Sequence, residues 1–208
     1  MQDLPITVLC SGILKIRRNA ASLIEEAELL FANGRSSRAY VLAYTACEEL
    51  GKIAIVVGMV TRVAGNTHVN WKSFSKRFRS HNSKAIQFLS LGTILPILRD
   101  TARGQKIDLV DVEAEVRKNF AAAASTVAER NSGLYCDFEG KNFFAPDERI
   151  TPDIASRFIA LGKQQLEISE IFLGNTVDEV EERLVKYAKR GGAEKIAQIL
   201  GKFKAEDG

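Results

Sequence analysis

The sequence predicts an all-α fold, and three observations carry that prediction. Apolar residues recur three and four positions apart along most of the chain, the spacing of one buried helix face. Strand-like alternation is scarce, and only four prolines occur in 208 residues. Helix start and stop signals punctuate the pattern, among them Asn33-Gly34, Thr151-Pro152-Asp153 and Gly191-Gly192. The length allows one large or two small domains, and a hydrophobic content of 46% is ample for a core.

The stretch from Ala39 to Lys52, AYVLAYTACEELGK, organises the rest. Ala39, Leu42, Ala43, Ala46, Leu50 and Ile53 share one helix face, and its small residues let a second helix approach closely. Glu48 stands one turn before Lys52, the favourable order for an ion pair. Two readings follow. The helix is a core element with a surface salt bridge, or Glu48, Glu49 and Lys52 line a functional groove.

In chain order, a first helix is expected from about Leu14 to Ala32, with Ala20, Ile24, Ala27 and Phe31 in its stripe and Asn33-Gly34 at its end. Ser36 or Ser37 then caps a second helix to about Val63. So short a connection implies an antiparallel hairpin. Residues 64–70 read as a loop. Trp71 to Leu91 is the third helical stretch and the most basic, with Lys72, Lys76, Arg77, Arg79, His81 and Lys84. Pro96 predicts a break or kink, and Arg99 to Gln105 a linker. Asp108 caps a fourth helix, about Leu109 to Arg130. Residues 131–150 form a long loop whose aromatics, Tyr135, Phe138, Phe143 and Phe144, suggest docking on the core. Thr151 and Pro152 start a helix that runs to Leu173 and ends at Gly174. Thr176 with Glu179 is a capping box for a helix to about Lys189, and Ala193 to Phe203 makes a last short one. This describes an all-α domain over residues 1–175 with a C-terminal helical extension over residues 176–208.

Several classes are disfavoured. Net charge is +3 and the pI 8.7, which permits nucleic-acid binding without arguing for it. Cys10, Cys47 and Cys136 are dispersed, so neither a zinc site nor a disulfide framework is expected, and the cytosol is the natural compartment. The N-terminal apolar run is too short to span a bilayer and a poor signal peptide, and no other stretch spans one. No GxxxxGK[ST], HExxH, GxSxG or GxGxxG occurs. No cofactor is implied, and Glu48 with Asp137 is too small a set to claim a metal.

Histidine chemistry has two candidates. His68 lies in a polar loop. His81 stands in HNSK, where helical neighbours Arg77 and Lys84 would lower its pKa by like-charge repulsion. A neutral imidazole beside cations suits a general base near a phosphate, against the plainer reading of a surface histidine. Arg130 closes the fourth helix, where the dipole favours it anyway, and its planar fork suits a phosphate clamp.

Three blocks in order now resemble one family. These are EELGK at Glu48 to Lys52, WKSFSKRFRSHNSK with His81 and Lys84, and RNSGLYCDF with Arg130, Leu134, Tyr135 and Asp137. A Pro-started helix follows. Over roughly residues 13–175 the chain resembles the AbiV family, a HEPN branch associated with abortive infection, the bacterial defence against phage. The resemblance implies a HEPN-like helical bundle, often a homodimer whose protomers enclose a cleft. In many HEPN proteins that cleft is a metal-independent ribonuclease site. There an Arg, a polar residue and a His act together, and the products carry a cyclic phosphate. Arg130 and Asn131 match the start of that motif, whereas Tyr135 stands near the position of its His, and His81 is the candidate to substitute. The expected catalytic residues are therefore His81, Arg130 and Tyr135. Glu48, Glu49, Lys52, Lys84, Asn131 and Asp137 would hold phosphate or orient the site. RNA, as tRNA, mRNA or ribosome, is the expected substrate. The alternative is a non-catalytic protein that binds a phage protein or the translation machinery.

Overall fold

The computed structural model describes residues 4–105, 114 and 130–191. Its helices are α1 (Ile6–Ala32), α2 (Ser36–Ala64), α3 (Trp71–Arg79), α4 (His81–Ala102), α5 (Pro146–Arg149), α6 (Pro152–Leu173) and α7 (Val177–Lys189). A small antiparallel hairpin, β1 (Asp137–Glu139) with β2 (Asn142–Phe144), precedes α5. The fold is all-α, with that hairpin the only sheet among the described residues. No helix among the described residues is long and apolar enough to cross a membrane. The expected helices over residues 109–130 and 193–203 lie largely or wholly outside the described residues.

Helix α2 is the centre of the bundle and packs against α1, α4, α6 and α7. Ala39, Ala43 and Ala46 are fully buried, as their spacing requires, with Leu50, Ile53, Val57 and Val60 continuing the face. Burying each large aliphatic side chain contributes about 1.5–3 kcal/mol, so this one face carries much of the core. Val180, Leu184 and Tyr187 of α7 join the same cluster.

The caps at Thr151 and Thr176 hold, whereas Asp108 lies outside the described residues. The Thr151 hydroxyl accepts from Ile154 N–H, and Thr176 and Glu179 make the reciprocal capping box. Helix α6 ends before Gly174, whose φ of +85° favours glycine.

Five expectations need correction. Helix α1 begins at Ile6, well before Leu14, because Leu9, Cys10, Ile13 and Ile16 extend the buried stripe towards Pro5. Arg35, not a serine, stands at the α2 N-cap, and Ser36 and Ser37 lie inside the helix. The basic third stretch is two helices, split at Ser80. Asn70 caps α3 by accepting from Ser73 N–H, and Ser80 caps α4 by accepting from Ser83 N–H. Helix α4 runs through Pro96 to Ala102, so most of the expected linker is helical. Proline inside a helix costs about 3 kcal/mol. Ile94, Leu95, Ile97 and Leu98 are buried on both sides of it, and their packing outweighs that cost.

The fifth correction concerns the long loop. It folds into the β-hairpin, and its aromatics face outward. Tyr135, Phe138 and Phe143 are 67%, 57% and 77% exposed. Only Phe144 is half-buried, with the Arg149 guanidinium 4.0 Å from its ring centre. Strand alternation here spans three residues per strand, too short to read from the sequence.

Cysteine placement yields one prediction. Burial pushes the Cys10 thiol up to about 12 and the Cys47 thiol higher still, whereas Cys136 is exposed. A thiolate-selective reagent at mildly alkaline pH should label Cys136 alone in the native protein, and all three cysteines after unfolding. Native labelling of Cys47 would contradict the packing of α2.

Candidate functional site

The site begins at a glycine. A Cβ on Gly51 would lie 2.1 Å from the Lys84 carbonyl oxygen and 3.0 Å from the Phe88 backbone nitrogen. Only a residue without a side chain lets the first turns of α4 rest directly on α2. One turn earlier along α2, Glu48 therefore faces the start of α4. Ser80, by capping α4, sets His81 at its first position and Lys84 one turn on.

Glu48 is only 4% exposed and collects three cationic or ionisable groups. His81 Nδ1 lies 2.8 Å from Oε1 and 2.9 Å from Oε2. Lys84 Nζ donates to Oε2 at 3.1 Å. The Arg130 guanidinium closes the cluster, its Nη1 3.7 Å from Oε1 and 3.0 Å from His81 Nδ1. Arg130 Nη2 donates to Asn131 Oδ1 at 3.2 Å.

Arg130 is held there by the backbone that follows it. A Cβ on Gly133 would meet Val41 Cγ2 at 2.9 Å and Tyr40 Cδ1 at 3.0 Å, so the turn after Arg130 sits flat on α2. Arg38 Nη1 fixes the next residue by donating to the Leu134 carbonyl at 3.3 Å.

Two roles compete at His81 Nδ1: protonated, it donates to Glu48 at 2.8 Å, and bare, it accepts from Arg130 Nη1 at 3.0 Å, with Lys84 Nζ 3.4 Å away. In the first role Nε2 is the acceptor nitrogen. The His81 side chain is 52% exposed, and no partner occupies Nε2 among the described residues. A carboxylate that orients an imidazole in this way leaves the opposite nitrogen ready to take a proton. Beneath Glu48 lies an apolar cavity of about 70 Å³, lined by Tyr44, Cys47, Ala85, Phe88 and Phe158. Such a floor keeps the local dielectric low and strengthens the charged contacts above it. One carboxylate faces two fixed cations, so with a neutral imidazole the cluster has a net positive charge and favours an anion.

The candidate residues thus separate into three groups. Glu48, His81, Lys84, Arg130 and Asn131 come together. Glu49 and Lys52 pair with each other on the neighbouring side of α2, where Lys52 Nζ also lies 5.1 Å from the Phe78 ring centre. The expected Glu48–Lys52 pair does not form, because Lys84 and His81 take Glu48 across the helix interface. Tyr135 and Asp137 are exposed around the start of the hairpin, and Asp137 Oδ1 accepts from Phe138 N–H at 2.8 Å. Arg77, expected beside His81 on one helix, lies on α3, where burial and then Arg62 hold its pKa down.

Sequence reasoning passed over Gly51 and Ser80. The glycine was visible within EELGK, and Ser80 stood one residue before His81, but neither signal says which backbone will approach.

Comparison with known proteins adds one finding. A family model named HEPN_AbiV, described as AbiV, matches residues 8–167. No curated protein and no solved structure matches.

Proposed function

The chain belongs to the AbiV family of HEPN proteins, and from that premise we propose that it is an abortive-infection effector that cleaves RNA without a metal. The observation that carries this reading is the 3.0 Å approach of Arg130 Nη1 to His81 Nδ1, which lets both side chains serve one phosphate. In the proposed step, His81 Nε2 takes the proton of a ribose 2′-hydroxyl. The 2′-oxygen attacks the adjacent phosphorus, and the bond to the 5′-oxygen breaks. That oxygen takes a proton from solvent. The products carry a 2′,3′-cyclic phosphate and a 5′-hydroxyl. Arg130 balances the charge of the phosphorane, while Lys84 and Glu48 hold the imidazole in position. Tyr135 and Asp137 lie along the path of the RNA on the hairpin side. A second protomer would close the cleft over His81, and residues 176–208 would form an extension to the AbiV-type domain.

The test is cleavage of tRNA, mRNA and ribosomes by the purified protein in EDTA. His81→Ala is expected to lower the rate by roughly 10²–10⁴-fold through loss of the base. Arg130→Ala is expected to cost roughly 10²–10³-fold through loss of charge stabilisation. Undiminished cleavage in both folded variants would remove the site from the reaction.

A second reading draws on the outward aromatics of the hairpin. An exposed surface of Tyr135, Phe138 and Phe143 suits a protein partner, such as a phage protein or a component of translation. On that reading the Glu48 cluster only fixes the bundle. Phage resistance that survives His81→Ala but not Phe138→Ser with Phe143→Ser would favour it.

A further inference from the structure

A second basic cluster lies at the far end of α4. Arg99, Arg103, Phe172, Arg183, Lys186 and Tyr187 line a pocket of about 340 Å³ where α4 ends against α6 and α7. That volume falls within the range of small-ligand sites. His81 and Arg99 stand near opposite ends of α4, about 27 Å apart at 1.5 Å per residue. The pocket is therefore separate from the Glu48 cluster. Most of its lining also comes from chain beyond the region shared with the family.

Four cationic side chains face this pocket. The nearby acid, Asp100, is already engaged by Arg99 Nε at 2.6 Å. Helix ends explain part of the gathering. Arg183 Nη1 donates to the Ile171 carbonyl at 2.8 Å, near the end of α6, and Arg190, just outside the pocket, donates to the Ala102 carbonyl at the end of α4. Among the described residues Arg103 and Lys186 are left over. Neither side chain has a hydrogen bond or ion pair among the described residues. The convergence is tight enough that Arg183, Arg103 and Arg99 all favour the ionised Tyr187 phenol, although burial outweighs them and raises its pKa. Tyr187 is itself committed, its hydroxyl donating to the Phe172 carbonyl at 3.1 Å. The Arg99 guanidinium lies 4.8 Å from the Phe172 ring centre, which sets a flat apolar wall beside the charges.

We infer that this pocket binds a small anion carrying two or more phosphates, a nucleoside polyphosphate or inorganic pyrophosphate, held by Arg99, Arg103, Arg183 and Lys186. Several like charges around one concavity repel each other, and a polyphosphate removes that repulsion while engaging the free guanidinium edges. Arg103 and Lys186 supply charge that is unpaired among the described residues, and a base would stack beside the Arg99–Phe172 pair.

The test is calorimetric titration of the full chain with inorganic pyrophosphate and, separately, with ATP, both at low salt. Wild type, Arg103→Ala/Lys186→Ala and Arg130→Ala proteins are compared. Both altered residues of the double variant are exposed, so it should fold, which circular dichroism checks. Binding is expected in the wild type, roughly tenfold weaker or more in the double variant, and unchanged in Arg130→Ala. Equal affinity for the two probes would support a site that reads phosphates alone. Tighter binding of ATP would support a nucleotide site that also holds the base. Absence of binding by either probe would overturn the inference. So would binding that survives the double variant but is lost in Arg130→Ala. Dependence of single-stranded RNA binding alone on Arg103 and Lys186 would overturn it in favour of an RNA track.

Discussion

Replacing Gly51 by alanine is expected to lower thermal stability and abolish the proposed RNA cleavage together. Helix propensity alone favours alanine over glycine by about 1 kcal/mol. Here the added methyl would sit 2.1 Å from the Lys84 carbonyl oxygen, and that neighbour is backbone, which cannot swing away as a side chain can. Overpacking of this kind costs about 1–3 kcal/mol, so the net change is destabilising. Relief requires α4 to lift from α2. His81 and Lys84 then leave Glu48, and the imidazole loses the carboxylate that orients it. Melting temperature and RNA cleavage would both be measured. A variant that melts higher than wild type would show that α4 does not rest on α2 at this point.

Removing the Glu48 carboxylate has a comparable effect by another route. Lys84 is 7% exposed, and Glu48 is the acid it pairs with. Glu48→Ala would strand a buried ammonium, and losing one partner of a buried pair costs about 3–5 kcal/mol. Lys84→Met should cost less, because Glu48 keeps His81 and Arg130. The double variant Glu48→Leu/Lys84→Met should recover most of the stability, since an apolar pair of similar volume carries no desolvation penalty. It should not recover cleavage, because His81 would have no carboxylate to fix its tautomer. Chemical denaturation of the single and double variants measures the coupling. Equal instability in Glu48→Ala and the double variant would mean that the stranded charge is not the cause.

Much of the bundle was legible in the residues. The buried face of α2 follows from the spacing of Ala39, Ala43, Ala46 and Leu50, because helix geometry converts spacing into direction without any knowledge of the partner. The Thr151 and Thr176 caps and the stop at Gly174 are equally local. No break occurs at Pro96, because the proline's cost is local while the burial of Leu95 and Leu98 that offsets it belongs to the whole core.

The candidate site was legible as an inventory and not as a geometry. Glu48, His81, Lys84 and Arg130 could be named from their blocks, and they do meet. Which of them pair could not be read, since Glu48 has Lys52 one turn away on its own helix yet bonds to Lys84 and His81. That choice depends on how closely α4 approaches α2, which Gly51 permits and Ser80 orients. The hairpin shows the same limit, for its aromatics promised a docked loop and instead face outward. By itself the sequence determined the helical class, the buried face of α2, the caps at Thr151 and Thr176 and the residue types available for chemistry, because each depends on neighbours within one turn. Only the tertiary structure decided which charges meet, because contacts between distant segments depend on backbone approach, and at Gly51 a single methyl group would stand 2.1 Å from the facing Lys84 carbonyl oxygen.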